Sequence, residues 1–259
     1  MAQFDNRYAQ ATAAARAGVA VDEGLRAYML SVYNYMAAGV ALTGVVAYLL
    51  YSAAVTGDPA SGVARLGNGT MLTNFGYLLY VSPLRWVLML APLAFVFFLS
   101  FRVYQMSVSA AQLSFWLFAA VMGASLSTIF LVFTGASIAR VFFITAATFA
   151  SLSLWGYTTR KDLTGWGTFL FMGLIGIIVA ALVNLFLASS ALQFAISVIG
   201  VLVFAGLTAY DTQRIKDGYY AVVGNAELAA KSAIMGALSL YLDFINLFTS
   251  LLQLFGDRE

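Results

Sequence analysis

Residues 232–255 read SAIMGALSLYLDFINLFTSLLQLF, an apolar run long enough to cross a bilayer, where a helix needs about 20 such residues. Its few polar and small residues follow a pattern. Ser232, Ser239, Asn246 and Gln253 recur every seven positions, and Gly236, Asp243 and Ser250 make a second row at the same spacing. Steps of three and four residues put both rows on one face of a helix. Leu, Ile, Phe and Tyr occupy the other faces. Lipid has no use for a polar stripe, so this helix is expected inside a bundle, with Asp243 turned to other helices or to a wet cavity. An ionisable side chain at membrane depth is costly and marks a functional site by default.

Composition extends that reading to the whole chain. Hydrophobic residues fill 62% of the 259 positions and charged residues only 9%, against roughly a quarter charged in a soluble domain. The expected class is an all-α membrane protein in a lipid bilayer, a helix bundle read as one domain. A net charge of +2 gives no argument for nucleic acid. With no cysteine and no histidine, thiolate metal sites, cysteine nucleophiles and Ser–His chemistry are excluded. No cofactor is expected.

Residues 1–27, Ala-rich with Arg7, Arg16 and Arg26 among Asp5, Asp22 and Glu23, are read as a cytoplasmic tail, mobile or lying on the surface. The membrane domain is expected over 28–256, with spans at about 28–55, 83–101, 110–133, 137–157, 165–187, 191–212 and 232–255. Residues 56–70 carry turn chemistry throughout, and the following MLTNFGYLLYV is too short to cross. Pro83 opens the second span, and Pro92 interrupts its backbone ladder. Glycines at 173 and 176 are read as packing positions. Alternating the loops with the amino terminus inside puts nine Lys and Arg on the inner side and four, Arg65, Arg85, Arg140 and Arg258, on the outer. The positive-inside rule then predicts a cytoplasmic amino terminus and a periplasmic carboxyl terminus.

Among the acidic residues, Asp211 and Asp243 alone fall in or at the edge of a span. Asp211 has a weaker stripe of its own, Gln193, Ser197, Gly200 and Thr208. Two carboxyls brought together in low dielectric cannot both ionise cheaply and titrate as a unit. Carboxylate oxygens also suit a hard cation such as Ca²⁺, so the pair is a candidate ion and proton site, with Ser239, Asn246, Ser250 and Thr208 lining a path. The plain alternative neutralises each aspartate by an arginine or by hydrogen bonds, for packing alone. Depth is a difficulty, since Asp211 lies near the inner end of its span and Asp243 near the middle of its own. An enzyme is not expected. Intramembrane aspartyl proteases also use two aspartates on successive helices, but their second sits in a GxGD motif, where this chain reads YLD.

GLTAYDTQRIK at 206–216 and ALSLYLDFINLF at 237–248 resemble the two signature stretches of the Bax inhibitor-1 (transmembrane Bax inhibitor motif) family, in its bacterial branch. SPLRWVLMLAPLAFVF near the second span and the order of seven hydrophobic segments fit as well. The resemblance implies a seven-helix bundle around the last helix in the bacterial inner membrane, and a pH-sensitive calcium leak. It carries the paired aspartates to Asp211 and Asp243, and a latch arginine closing the second span to Arg102. The expected function is a cation leak gated by protonation of the pair, with Ca²⁺ and H⁺ as the ions. The alternative is a non-conducting regulator that binds other membrane proteins.

Overall fold

The computed structural model describes the backbone of residues 2–58, 62–66 and 69–258, and side chains from residue 22 onward. Helix α1 runs Ala2–Ala54. A three-stranded antiparallel sheet follows, β1 (Val55–Thr56), β2 (Ala64–Arg65) and β3 (Met71–Leu72), in the order β1-β3-β2. Then come α2 (Asn74–Tyr80), α3 (Leu84–Arg102), α4 (Val108–Leu126), α5 (Gly135–Thr158), α6 (Thr164–Leu187), α7 (Ser190–Val222) and α8 (Ala226–Phe255). Seven of these are long and apolar enough to cross a membrane: α1 from Asp22, and α3 to α8.

The starts of the helices follow from side chains that satisfy free amides. Thr73, Ser107, Thr134, Ser189 and Asn225 each accept from the backbone amide three residues on, opening α2, α4, α5, α7 and α8. Pro83 sits at the cap position of α3, one residue earlier than first helical position.

Three expectations change. Residues 2–27 are no separate tail in their backbone, which continues unbroken into α1; the stretch is rich in alanine and free of proline, so nothing stops a helix there. The first loop holds the small sheet and α2, with Ala54, Leu72, Leu79 and Tyr80 forming its own buried cluster. Tyr80 anchors this cap by donating its hydroxyl to Ser127 Oγ at 2.9 Å. The third span is α4 followed by a 3₁₀ turn at Ser127–Leu131.

Two thirds of the most apolar window of α8 is buried inside the protein, against a third or less for each other span. It packs on α1, α4, α5 and α7. Tyr241 is its largest fully buried side chain, edge-on to Phe115 and Phe118. Its hydroxyl shares a 2.6 Å hydrogen bond with Thr43 of α1. On another side Phe244 meets Phe142 and Phe149 of α5. After α8 the chain folds back on the start of α5. There Asp257 accepts from the Thr134 amide and donates its own amide to Ser137 Oγ.

In contrast, α6 packs on α7 as its one extensive helix neighbour, and only 6% of its apolar window is buried. Three small-to-large contacts set the pairing: Gly167 on Tyr210, Leu170 on Gly206, and Gly173 on Val203.

Candidate ion site between the sixth, seventh and eighth helices

The depth problem posed by the two aspartates is answered by helix length and register. α7 runs ten residues past the expected end at 212, and α8 begins six before 232. Asp211 therefore lies well inside its helix. The two helices run antiparallel in close contact. A Cβ on Gly200 would stand 2.7 Å from Ser250 Oγ, and one on Gly236 would stand 3.0 Å from Ile215. Asp211 falls opposite Asp243 in that register, and the two carboxyl groups are within hydrogen-bonding reach.

Both aspartates are buried, at 7% and 5% relative exposure, an environment in which an unpaired charge is costly. Asp211 has an ionic partner: Arg214 Nη2 lies 3.1 Å from its Oδ1, one helical turn away. Asp243 Oδ2 meets no N–H or O–H donor among the described residues. The carboxyl of Asp211 becomes a donor to it once a proton sits on the pair. With one proton shared, two carboxyls and one guanidinium sum to zero charge. Without it, the site carries one net negative charge.

The pair opens on a cavity of about 490 Å³ between α6, α7 and α8. Ser239 and Asn246 line it with both aspartates, and Arg214 and Tyr210 stand at the end nearest the 159–163 loop. Arg214 is half exposed there. It also donates to Ser239 Oγ at 3.4 Å and lies over the Tyr210 ring. Asn246 donates Nδ2 to Leu242 O, and its Oδ1 takes no hydrogen bond among the described residues. One turn beyond, Ser250 against Gly200 brings α7 and α8 into contact. Toward that face the cavity is closed.

The other expected residues are placed differently. Thr208 is fully buried, its hydroxyl bonded to Phe204 O within its own helix, so it does not line the cavity. Ser250 is spent on helix packing rather than on a path. Arg102 does not reach the aspartates: it is exposed and donates to Gln105. Helix α3 packs on α4 and α2, and the turn after Arg102 is held at the start of α8, where Lys231 Nζ donates to Tyr104 O. Twelve residues separate Lys231 from Asp243, about 18 Å along a helix. The arginine on the pair in this conformation is Arg214.

Gln213 was not singled out from sequence. It accepts from the Leu163 amide and donates to Lys161 O, both at 2.8 Å, clamping the start of α6 two residues from Asp211. Three or more His, Cys, Asp or Glu side chains do not converge anywhere among the described residues. A calcium ion takes six to eight oxygens, more than two carboxylates supply.

These features can be set beside known proteins. The family described as Inhibitor of apoptosis-promoting Bax1 matches the chain over residues 25–259. The chain belongs to the Bax inhibitor-1 family. An uncharacterized protein of Caulobacter vibrioides is 44% identical over 259 residues, covering all of both chains. Inner membrane protein YbhL of Escherichia coli is 43% identical over 237 residues, 91% of this chain and 94% of its own. An uncharacterized protein of Rickettsia prowazekii is 48% identical over 92% of each chain. Membership of the Bax inhibitor-1 family accords with the helical bundle of seven candidate spans.

Proposed function

We propose that the protein is a pH-sensitive leak for cations, calcium above all, in the inner membrane, controlled by a proton shared between Asp211 and Asp243. The observation that carries this reading is the juxtaposition of the two buried carboxyls on one cavity, with no donor on Asp243 Oδ2 among the described residues. A protonated pair with Arg214 is neutral and offers a cation nothing. A deprotonated pair keeps one uncompensated negative charge, and the oxygens of Asn246 and Ser239 stand beside it. Proton and cation thus compete for one place. The cavity is closed at the Gly200–Ser250 contact, so conduction requires α6, α7 and α8 to shift from this arrangement. The count of basic residues supports a cytoplasmic amino terminus, and with it Arg214 at the cytoplasmic mouth.

Purified protein in liposomes loaded with a calcium-sensitive dye tests the reading between pH 6 and 8. The expected result is a calcium leak that changes across this range and whose pH dependence flattens in Asp243→Asn. A leak with the same pH profile in both Asp211→Asn and Asp243→Asn would overturn it. A second reading, a regulator that does not conduct, is favoured by the same closed contact at Ser250. Liposomes that stay impermeable to calcium at every pH, with folded protein in them, would decide for it.

A further inference from the structure

Helices α1 and α5 each pack on α7 and α8, and a cleft runs between them. In the half of the membrane where the α1 span begins, the cleft is an open groove of about 630 Å³. Met29, Met36, Phe149 and Leu154 line it, and Arg26 and Tyr157 stand at its end. From Arg26 to Ala37 the groove follows eleven residues of α1, about 16 Å of helix, which is half of a hydrocarbon core of about 30 Å. The groove is therefore as deep as one leaflet, apolar along its depth, and cationic where that leaflet meets water. Arg26 is exposed and makes no ion pair among the described residues. Asp22 and Glu23 lie one turn further out, on the water side. Lys216 adds a second cation at this level, bonded to Tyr157 O at 2.9 Å and lying over its ring. The other half of the same cleft, about 400 Å³, has no basic residue in its lining.

We infer that the α1–α5 groove is a binding site for one phospholipid, its phosphate on Arg26 and an acyl chain in the groove. Lipid is the solvent of this surface, and the single-leaflet depth fits a chain entering from the α1-start side. The groove floor is polar at one point only. Tyr33 and Ser153 share a hydrogen bond at 2.7 Å, and Ser153 shares another with Thr212 at 2.8 Å. Thr212 in turn donates to Thr208 O of its own helix, so the polar groups of the floor are satisfied within the protein. The lipid site itself does not depend on the conduction reading.

Native mass spectrometry of the delipidated full chain, titrated with dioleoyl phosphatidylglycerol or with dioleoylglycerol, tests the site. The two probes have the same chains, and only the first has a phosphate. The expected result is one phospholipid bound at least tenfold more tightly than the diacylglycerol. Arg26→Gln should erase the difference. Ala150→Trp, on an exposed position lining the groove, should abolish binding of both. Ala147→Trp, exposed on α5 outside the lining, should bind as the parent does and shows that the fold accepts a tryptophan on this helix. Equal binding in parent, Arg26→Gln and Ala150→Trp would overturn the proposal in favour of unspecific boundary lipid. A dimer that Ala150→Trp dissolves would overturn it in favour of a second copy of the chain in the groove.

Discussion

Asp243 is the residue on which the site depends, because it is buried with no donor for Oδ2 among the described residues. Replacing it with asparagine keeps the shape and supplies two N–H groups in place of a titrating one. The expected outcome is a calcium flux with little pH dependence, read by dye fluorescence in liposomes at several pH values. Two arginines allow a sharper test. Arg214→Ala removes the cation paired with Asp211 and should change both the size and the pH profile of the flux. Arg102→Ala should leave both unaltered, because Arg102 engages Gln105 instead. An effect of Arg102→Ala as large as that of Arg214→Ala would show that the resting conformation is not the one that gates. Arg214 was legible in the sequence, three residues after Asp211 and so on the same helical face. It was not paired with Asp211 because the expected span ended at 212, two residues before it.

Ser250 and Asn246 looked equivalent as members of one stripe on α8, and the structure separates them. Ser250 meets Gly200 across a close helix contact; Asn246 faces the cavity. Ser250→Leu should therefore overfill the α7–α8 contact and lower stability by about 1–3 kcal/mol, seen as a lower thermal midpoint in detergent. Asn246→Leu should reduce calcium flux with the midpoint nearly unchanged. A period of seven gives a face and cannot tell which members of that face meet a glycine and which meet a void. The seven spans could be read from pattern alone; the pairing of the aspartates could not, because the expected span ends put Asp211 and Asp243 at different depths. The clamp from Gln213 to Lys161 and Leu163 could not, because it joins a helix to a loop 50 residues away. Nor could the sheet at 55–72, whose strands of two residues leave no alternation to find.

For the protein in its membrane, orientation decides which compartment's protons reach the carboxyl pair. Alkaline phosphatase fused after Glu259 should be active, and fused at Lys161 inactive, if the carboxyl terminus is periplasmic as the positive charges predict. The reverse pattern would move Arg214 and the α1–α5 groove to the opposite leaflet together. The loose attachment of α6 has a mechanical side. Its packing rests on one helix, α7, through contacts that include Gly167, Leu170 and Gly173, and its outer surface already faces lipid. Lipid tails are as apolar as the side chains they would replace, so no hydrophobic penalty opposes separating two helices inside a bilayer. Displacing α6 sideways exchanges its contacts with α7 for similar lipid ones and widens the space beside Asp211 and Asp243. Its tether would be the Asn184–Gln193 bond at one end and the Gln213 clamp at the other. Stretching the bilayer, or thinning it with shorter acyl chains, then becomes a second input to the cavity besides pH.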